Sequence, residues 1–308
     1  MKIGVVIVTY NRLNKLKKAL KAYESQNYKP EYIIIVDNNS NDGTDKFIKE
    51  WYEKQESFDK YIINLPENIG GSGGFYYGLN KALELNADWI WVSDDDAYPD
   101  ENALLKINEY YKCIGNEERK SISALCCQII NNGKIDLGHR KRLVKGNRNI
   151  KISAVAEEEY NKPFELDLFS YVGTIINKSK LDKVGLPEKE YFIYYDDTEH
   201  SYRLSKSGKI ICIPDAKVIH NVEVITSKNI DWKGYYSVRN KLLFIKKHFE
   251  EKYYNYEYRR YKVKCLIRDL LRKEKIKNIQ IKSALKDSKN DIKGLHEIYK
   301  PGWKINNI

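Results

Sequence analysis

The chain predicts an α/β fold, a mainly parallel sheet with helices on both faces, followed by a C-terminal helical extension. Three observations predict it. The first hundred residues alternate β-branched apolar runs with segments of helical periodicity. Polar clusters follow the apolar runs at regular intervals, as they do where parallel strands end. The charge is lopsided: residues 241–308 hold 19 Lys and Arg against 8 Asp and Glu, while the remainder holds 35 of each.

The elements follow in order. Lys2 to Thr9 is a strand-like apolar run, and Leu13, Leu16, Leu20 and Tyr23 then recur at helical spacing. Tyr32 to Val36 reads as a buried strand and is followed by the dense turn signal Asp37-Asn38-Asn39-Ser40-Asn41-Asp42-Gly43. Thr44 to Glu56 reads as a helix, Tyr61 to Leu65 as a strand, Phe75 to Asn86 as a helix and Trp89 to Ser93 as a strand. Such short apolar strands separated by helices imply βαβ units. The middle, Glu117 to Asp167, is less regular. It carries a basic patch (His139, Arg140, Lys141, Arg142, Lys145, Arg148) before Glu157-Glu158-Glu159, and reads as a loop on the acceptor side or an edge hairpin. Ser170 to Asn177 and Ile210 to His220 read as further strands, and the chain after Trp232 as helix. Residues 1–230 are expected to form one domain and residues 231–308 a basic, Tyr-rich helical extension.

Composition narrows the function classes. A chain of 308 residues with 42% hydrophobic content supports a real core. The apolar runs fall well short of the ~20 residues that cross a bilayer, and no export signal is expected at the start. Five scattered cysteines without a Cys-x-x-Cys pair read as reduced, mostly buried thiols in a cytoplasmic protein, with no zinc site expected. The basic tail suits an anionic partner or, more plainly, a solvated helical face kept soluble by lysines.

Three polar clusters should converge outside the carboxyl ends of the strands: Thr9-Tyr10-Asn11-Arg12, Asp37-Asn38-Asn39-Ser40 and Asp94-Asp95-Asp96. Three adjacent carboxylates repel one another unless something positive sits among them. At a strand end beside Pro99 they suit a hard divalent cation, Mn²⁺ or Mg²⁺, bridging carboxylate and phosphate. Asp94 and Asp96, as alternating members, are expected to share that zone while Asp95 points elsewhere. The plainer reading is a solvated, helix-capping loop. Asn68-Ile69-Gly70-Gly71-Ser72-Gly73-Gly74-Phe75 leads into a helix, so Asn68, Gly71 and Gly73 are candidates for close backbone approach to phosphate or sugar; the alternative is a tight strand–helix turn. The pair Asp196-Asp197 stands before a helix and suits a general base or an N-cap, or both. His220 ends an apolar strand and becomes a metal-ligand candidate if the fold returns that end to the aspartates.

As an ordered set, these motifs resemble the family 2 glycosyltransferases of the GT-A fold over roughly residues 2 to 240. The triple aspartate and the Gly-Gly-Ser-Gly-Gly-Phe run are most similar to the galactofuranosyltransferase and rhamnosyltransferase-like branch. The resemblance implies a mixed sheet of the nucleotide-diphospho-sugar transferase type and a nucleotide-diphosphate sugar donor. UDP-galactofuranose is the first expectation and dTDP-rhamnose the alternative, with a glycan or lipid-linked acceptor in bacterial cell-surface polysaccharide synthesis. Thr9, Arg12 and Asp37 would hold the nucleotide, Asp94 and Asp96 would bind Mn²⁺ or Mg²⁺ with His220 as a third ligand, and Asp95 would touch ribose or sugar. Asp197 would deprotonate the acceptor in a single inverting displacement. Many relatives have Glu-Asp where this chain has Asp196-Asp197, so Asp196 stays open as the base. Tyr235-Tyr236 and Arg239-Asn240 resemble a segment that closes over the site, with Arg239 reaching phosphate. The lysines and tyrosines of residues 250–308 (Tyr253, Tyr254, Tyr256, Tyr258, Tyr261) would suit peripheral contact with the inner face of an anionic membrane. A protein that binds nucleic acid through the tail is the rival of a different class. No nucleic-acid motif supports it, and none is expected as partner.

Overall fold

The computed structural model describes residues 1–222 and 231–304. In chain order the elements are β1 (Ile3–Thr9), α1 (Leu13–Glu24), β2 (Tyr32–Asp37), α2 (Thr44–Glu53), β3 (Asp59–Asn64), α3 (Gly70–Glu84), β4 (Trp89–Asp94), β5 (Tyr98–Pro99), α4 (Ala103–Cys113) and α5 (Asn116–Ser121). Then come β6 (Ile122–Asn131), β7 (Lys134–Ile135), β8 (Arg140–Lys145), β9 (Ile150–Ala154), β10 (Phe164–Leu166), β11 (Leu168–Phe169), β12 (Thr174–Asn177), α6 (Lys178–Val184), α7 (Asp196–Ser207) and β13 (Lys209–Ile219). Three helices close the chain: α8 (Lys233–His248), α9 (Glu251–Leu270) and α10 (Lys275–Lys289).

The main sheet runs β10-β13-β6-β12-β4-β1-β2-β3, with β5 added to β13 and β7 to β6. Its N-terminal half, β4-β1-β2-β3, is parallel throughout. β12 runs antiparallel to both β4 and β6, which makes the sheet mixed. Of these strands, β1, β2 and β4 have no polar face, whereas β3 lies at the edge. Val5 and Ile7 of β1 pack on one side with Leu16, Leu20, Ile33 and Trp91, while Val6 and Val8 pack on the other with Leu79, Ile34 and Val92. Burial on both faces explains why these strands read as unbroken apolar runs.

The expected elements before residue 100 are present, with one shift. α3 begins at Gly70, not Phe75, so the glycines belong to the helix. They thin it where it lies on β1 and β2: a Cβ at Gly74 would meet Val8 Cγ1 at 2.4 Å, and one at Gly78 would meet Val6 Cγ1 at 2.4 Å. The middle of the chain departs further from the reading above. Residues 122–131 form β6, a buried strand between β12 and β13, and the basic patch lies mainly on β8 of a separate β11-β8-β9 sheet. β6 alternates Ser, Cys and Gln among its apolar residues, which blurs the signal of a strand covered on both faces.

The C-terminal helices are docked on the body. Tyr235, Tyr236, Phe244, Tyr254 and Tyr299 share a core with Phe192, and Leu143, Ile150 and Ile152 of the small sheet pack against it. Tyr253 Oη donates to Gly146 O at 3.0 Å. This corrects the expectation for the tail tyrosines: Tyr253 and Tyr254 are buried, Tyr258 and Tyr261 are half-buried, and Tyr256 alone of the five is exposed. The boundary expected at 230/231 adjoins, and residues 305–308 of the extension lie outside, the described residues. No described helix is long and apolar enough to cross a membrane.

The α3–β1 contact is testable. Gly78→Val should lower stability by about 2 kcal/mol through overpacking against Val6 and Val36. A urea midpoint equal to that of the parent would show that the helix does not sit this close.

Candidate active site

Strand register brings the distant clusters together. Thr9 pairs with Asp37 across β1–β2, and Val8 pairs with Asp94 across β1–β4. β13 returns to this edge through its antiparallel pairing with β5, where Val218 faces Pro99 and Ile219 faces Tyr98. His220 follows directly, and its Nε2 stands 3.3 Å from Asp96 Oδ1. The condition set for His220 as a ligand candidate is therefore met.

Positive groups do sit among the three aspartates. Asp95 Oδ2 accepts from Thr9 Oγ1 at 2.8 Å and Asp95 Oδ1 from Arg12 Nη1 at 3.2 Å. Asp96 Oδ2 accepts from the same Arg12 nitrogen at 3.0 Å and from Lys15 Nζ at 2.9 Å. Burial pushes the Asp96 carboxyl up, but the hydrogen bonds from His220 and Lys15 and the charge of Arg12 hold it well below the usual carboxylate range. Asp94 has no comparable partner. Burial first, then Asp96 and Asp95, push it up to about 7, against the pull of His220 and Arg12. Burial also pushes Asp95 up to about 6, with Arg12 opposing. Protein groups thus compensate two of the three carboxylates and leave Asp94 uncompensated.

The cleft beside them is lined by Thr9, Arg12, Asp94 and Asp95 together with Asn38, Asn68, Gly70 and Gly71. Phe192, Trp232, Lys233 and Pro301 complete its wall. Asp96 does not line the cleft; Arg12, Lys15 and His220 hold its carboxylate. Asp37 is buried one step below; its Oδ1 accepts from Ser40 N at 3.1 Å. The neighbouring Asn38 lines the cleft and staples the glycine segment, donating to Gly70 O at 2.8 Å and accepting from Ile69 N at 3.0 Å.

The glycines divide their tasks. Gly70 has φ +78°, and a Cβ there would lie 2.0 Å from Phe192 O. Asn68 Oδ1 accepts from Gly70 N at 2.9 Å and fixes the turn into α3. A Cβ at Gly71 would meet nothing within 4 Å, and Gly71 lines the cleft, while the amides on either side of it are bonded to Asn68 Oδ1 and Phe192 O. Gly73 does not fit the donor role expected of it, because its Cβ would point at Ile69 Cδ1, 2.5 Å away.

Packed against this turn, the segment before α7 holds three non-glycine residues at positive φ: Phe192 (66°), Tyr194 (65°) and Tyr195 (68°). Each such residue costs about 1–3 kcal/mol and persists only where its surroundings over-determine it. Here Asn240 Nδ2 lies 2.9, 2.8 and 2.9 Å from the carbonyls of Tyr191, Ile193 and Tyr194. Arg239 donates to Tyr191 O at 3.2 Å and Gly294 O at 2.7 Å and is 1% exposed. This corrects the expected phosphate contact of Arg239: its guanidinium is spent on carbonyls inside the fold. Tyr235 and Tyr236 are likewise core residues.

Asp196 and Asp197 open α7. Asp196 is buried and pushed well above its usual range by burial, by Asp197 and by Asp94, so it lies within electrostatic reach of the aspartate cluster. Asp197 is more accessible. Its Oδ1 accepts from Thr198 N at 2.6 Å, while burial pushes its carboxyl up and Lys141 pulls it down. Behind them, buried Glu199 accepts from Arg203, Lys247 and His248, which ties α7 to α8.

Among the described residues no group of three or more His, Cys, Asp or Glu is arranged to hold a metal unaided. What is present fits a cation shared with a diphosphate, since Mg²⁺-type sites take one or two carboxylates plus substrate phosphates. Asp94 carries unneutralised charge, Asp96 is kept ionised, and the buried Nδ1 of His220 has no partner. Lys15, Asn38, Phe192, Trp232, Lys233 and Pro301 were not singled out from the sequence. Lys15 follows Arg12 at i+3 on the first turn of α1, a spacing that could have found it; Trp232 and Pro301 carried no such signal.

The chain belongs to glycosyl transferase family 2, whose family model matches residues 4–167. It is 29% identical over 208 residues to galactofuranosyltransferase GlfT1 of Mycolicibacterium smegmatis, covering 67% of this chain and 66% of the relative. It is 27% identical over 263 residues to dTDP-rhamnosyl transferase RfbF of Shigella flexneri, covering 80% of each. The chain thus spans about two thirds of the length of GlfT1. Among solved structures it resembles S. aureus TarS in complex with UDP-GlcNAc (TM-score 0.56, 16% identity, 95% of this chain and 82% of that one). It also resembles GalNAc-T7 with UDP, GalNAc and Mn²⁺ (TM-score 0.59, 16% identity, 80% and 48%). At these identities the likeness shows the GT-A fold.

One buried group of α7 makes stability depend on pH. His200 Nδ1 lies 2.8 Å from Tyr171 Oη, and burial pushes its pKa down to about 3. The folded state keeps this imidazole neutral, whereas the unfolded chain protonates it near ~6.5. Its contribution is therefore complete above that value and lost as pH falls towards 3. Unfolding free energy should fall about 2 kcal/mol more between pH 7 and pH 5 in the parent than in His200→Gln. Equal pH slopes in denaturant titrations would contradict this.

Proposed function

We propose that this family 2 protein transfers a sugar from a nucleotide-diphosphate donor to a hydroxyl acceptor with inversion, and that UDP-galactofuranose is the first donor to try. One observation carries the reading. Thr9, Arg12, Asp94 and Asp95 line one cleft together with Gly71 in the first turn of α3, and a raised carboxylate pair stands at the start of α7.

The residues divide the work. The amide at Gly71, in the first turn of α3, offers a positive helix end to the diphosphate. Asn38 and Asn68 hold that end in place, and Thr9 with Arg12 orients Asp95 towards the ribose or sugar. Asp94 and Asp96, with His220, would hold Mn²⁺ or Mg²⁺, which when bound supplies Lewis-acid neutralisation of the leaving diphosphate. Asp197 accepts the acceptor's proton. Burial raises its affinity for a proton, Thr198 fixes one carboxylate oxygen, and its exposure leaves the group reachable. Asp196 sits deeper and raises the proton affinity of its neighbour by like charge. The hydroxyl oxygen bonds to the anomeric carbon as the bond to the diphosphate breaks, so one displacement inverts the centre. A glycan or lipid-linked acceptor matches this reading.

A second donor, dTDP-rhamnose, is favoured by the RfbF match, which extends over 80% of both chains. Nucleotide release from a panel of UDP- and dTDP-sugars with Mn²⁺ separates the two. Turnover with neither class would overturn both.

Asp96→Ala should abolish transfer and weaken metal-dependent donor binding. Asp197→Asn should keep donor binding while transfer falls by about 10²–10⁴-fold, the usual worth of a general base. Normal turnover in Asp197→Asn with loss in Asp196→Asn would move the base to Asp196.

A further inference from the structure

The exposed face of α9 is built unlike the rest of the surface. Tyr256, Arg259, Val263, Leu266 and Leu270 recur at alternating spacings of three and four and share one side of the helix. Val263, Leu266, Ile267 and Leu271 are each at least half exposed, and Leu270 is 83% exposed. These apolar side chains occupy the C-terminal half of the helix and its end.

The other half of the same face is cationic. Arg148, from the β8–β9 turn, meets Lys252, Arg259, Arg260 and Lys264 around a concavity of 970 Å³ that Val263 also lines. Lys252 pairs with Glu250 and Arg260 with Glu257, while Arg148, Arg259 and Lys264 make no ion pair among the described residues. Residues 258–275 hold eight Lys and Arg against two acids. Both acids, Asp269 and Glu274, are paired with lysine or arginine.

We propose that this face docks on a bilayer containing anionic lipid, with Val263, Leu266, Ile267, Leu270 and Leu271 entering the headgroup–acyl boundary and the basic concavity receiving lipid phosphates. An apolar stripe alongside clustered Lys and Arg is the composition of an interfacial helix. A second copy of the chain is a poor occupant, because two such faces would bring like charges together. Nucleic acid would leave the aliphatic stripe in water. The inference does not depend on the proposed chemistry, since binding is read without donor or acceptor.

The test is co-sedimentation of the full chain with phosphatidylcholine vesicles, with and without added phosphatidylglycerol. Binding should require phosphatidylglycerol and weaken with salt. Arg259→Gln with Lys264→Gln should lower partitioning about tenfold or more. Leu266→Asn with Leu270→Asn should reduce binding to the level seen with phosphatidylcholine alone. These positions are exposed, and unchanged thermal melts serve as the folding control. Equal binding to both vesicle types, or binding indifferent to both double variants, overturns the proposal. A dimer in solution that Leu266→Asn and Leu270→Asn dissociate, without vesicle binding, assigns the face to a second copy and also overturns it. So does RNA or DNA binding through Arg259 and Lys264 in a protein that ignores vesicles.

Discussion

Three carboxylates in succession at the end of β4 constrain everything around them. Asp94, Asp95 and Asp96 stay together in a buried position because Thr9, Arg12, Lys15 and His220 bring donors and positive charge to two of them. Those four groups come from the end of β1, the entry and first turn of α1, and the end of β13. The compensation therefore exists only once β1 lies beside β4 and β13 has returned through β5. The parallel half of the sheet supplies the first condition and the mixed half the second. Asp94 is left uncompensated at the surface of the cleft, where a phosphate-bound cation would complete the balance.

The convergence of the strand ends was legible because β1, β2 and β4 are buried on both faces and each announces itself as an apolar run. Three such runs, each closed by a polar cluster, leave few arrangements other than a shared carboxyl edge. The direction of each aspartate was not legible. Alternation along a strand paired Asp94 with Asp96, but the chain leaves β4 at Asp94 and turns, so that pairing rests on His220 reaching Asp96 and not on the period of two. The opposite error concerned Gly73 and Gly74. Their density pointed to a ligand, whereas packing against Ile69 and Val8 accounts for both.

Arg239 shows a different limit. A basic residue following the core of such a sequence pattern invites pairing with phosphate. The structure uses its charge and its neighbour Asn240 to bind the carbonyls of a strained loop and of Gly294. Nothing local in Arg239-Asn240 signals this, because the carbonyls belong to residues far away in the sequence, Tyr191 to Tyr194 before it and Gly294 after it. β6 was missed for a related reason: its polar residues are satisfied within the fold, as where Ser123 donates to Lys209 O, and only the topology reveals that.

The same contacts decide what the C-terminal helices are. Charge alone describes them as a detachable basic tail on a neutral body. Yet Trp232, Lys233 and Pro301 form part of the cleft wall, and Asn240 holds the backbone that leads into Asp196 and Asp197. A loop with three residues at unfavourable φ would relax without those acceptor contacts. The start of α7 would then lose its position opposite Asp94. The inner side of the helical extension therefore belongs to the chemistry of the cleft, and the outer side of α9, which carries the cations and the exposed leucines, is free to serve a surface.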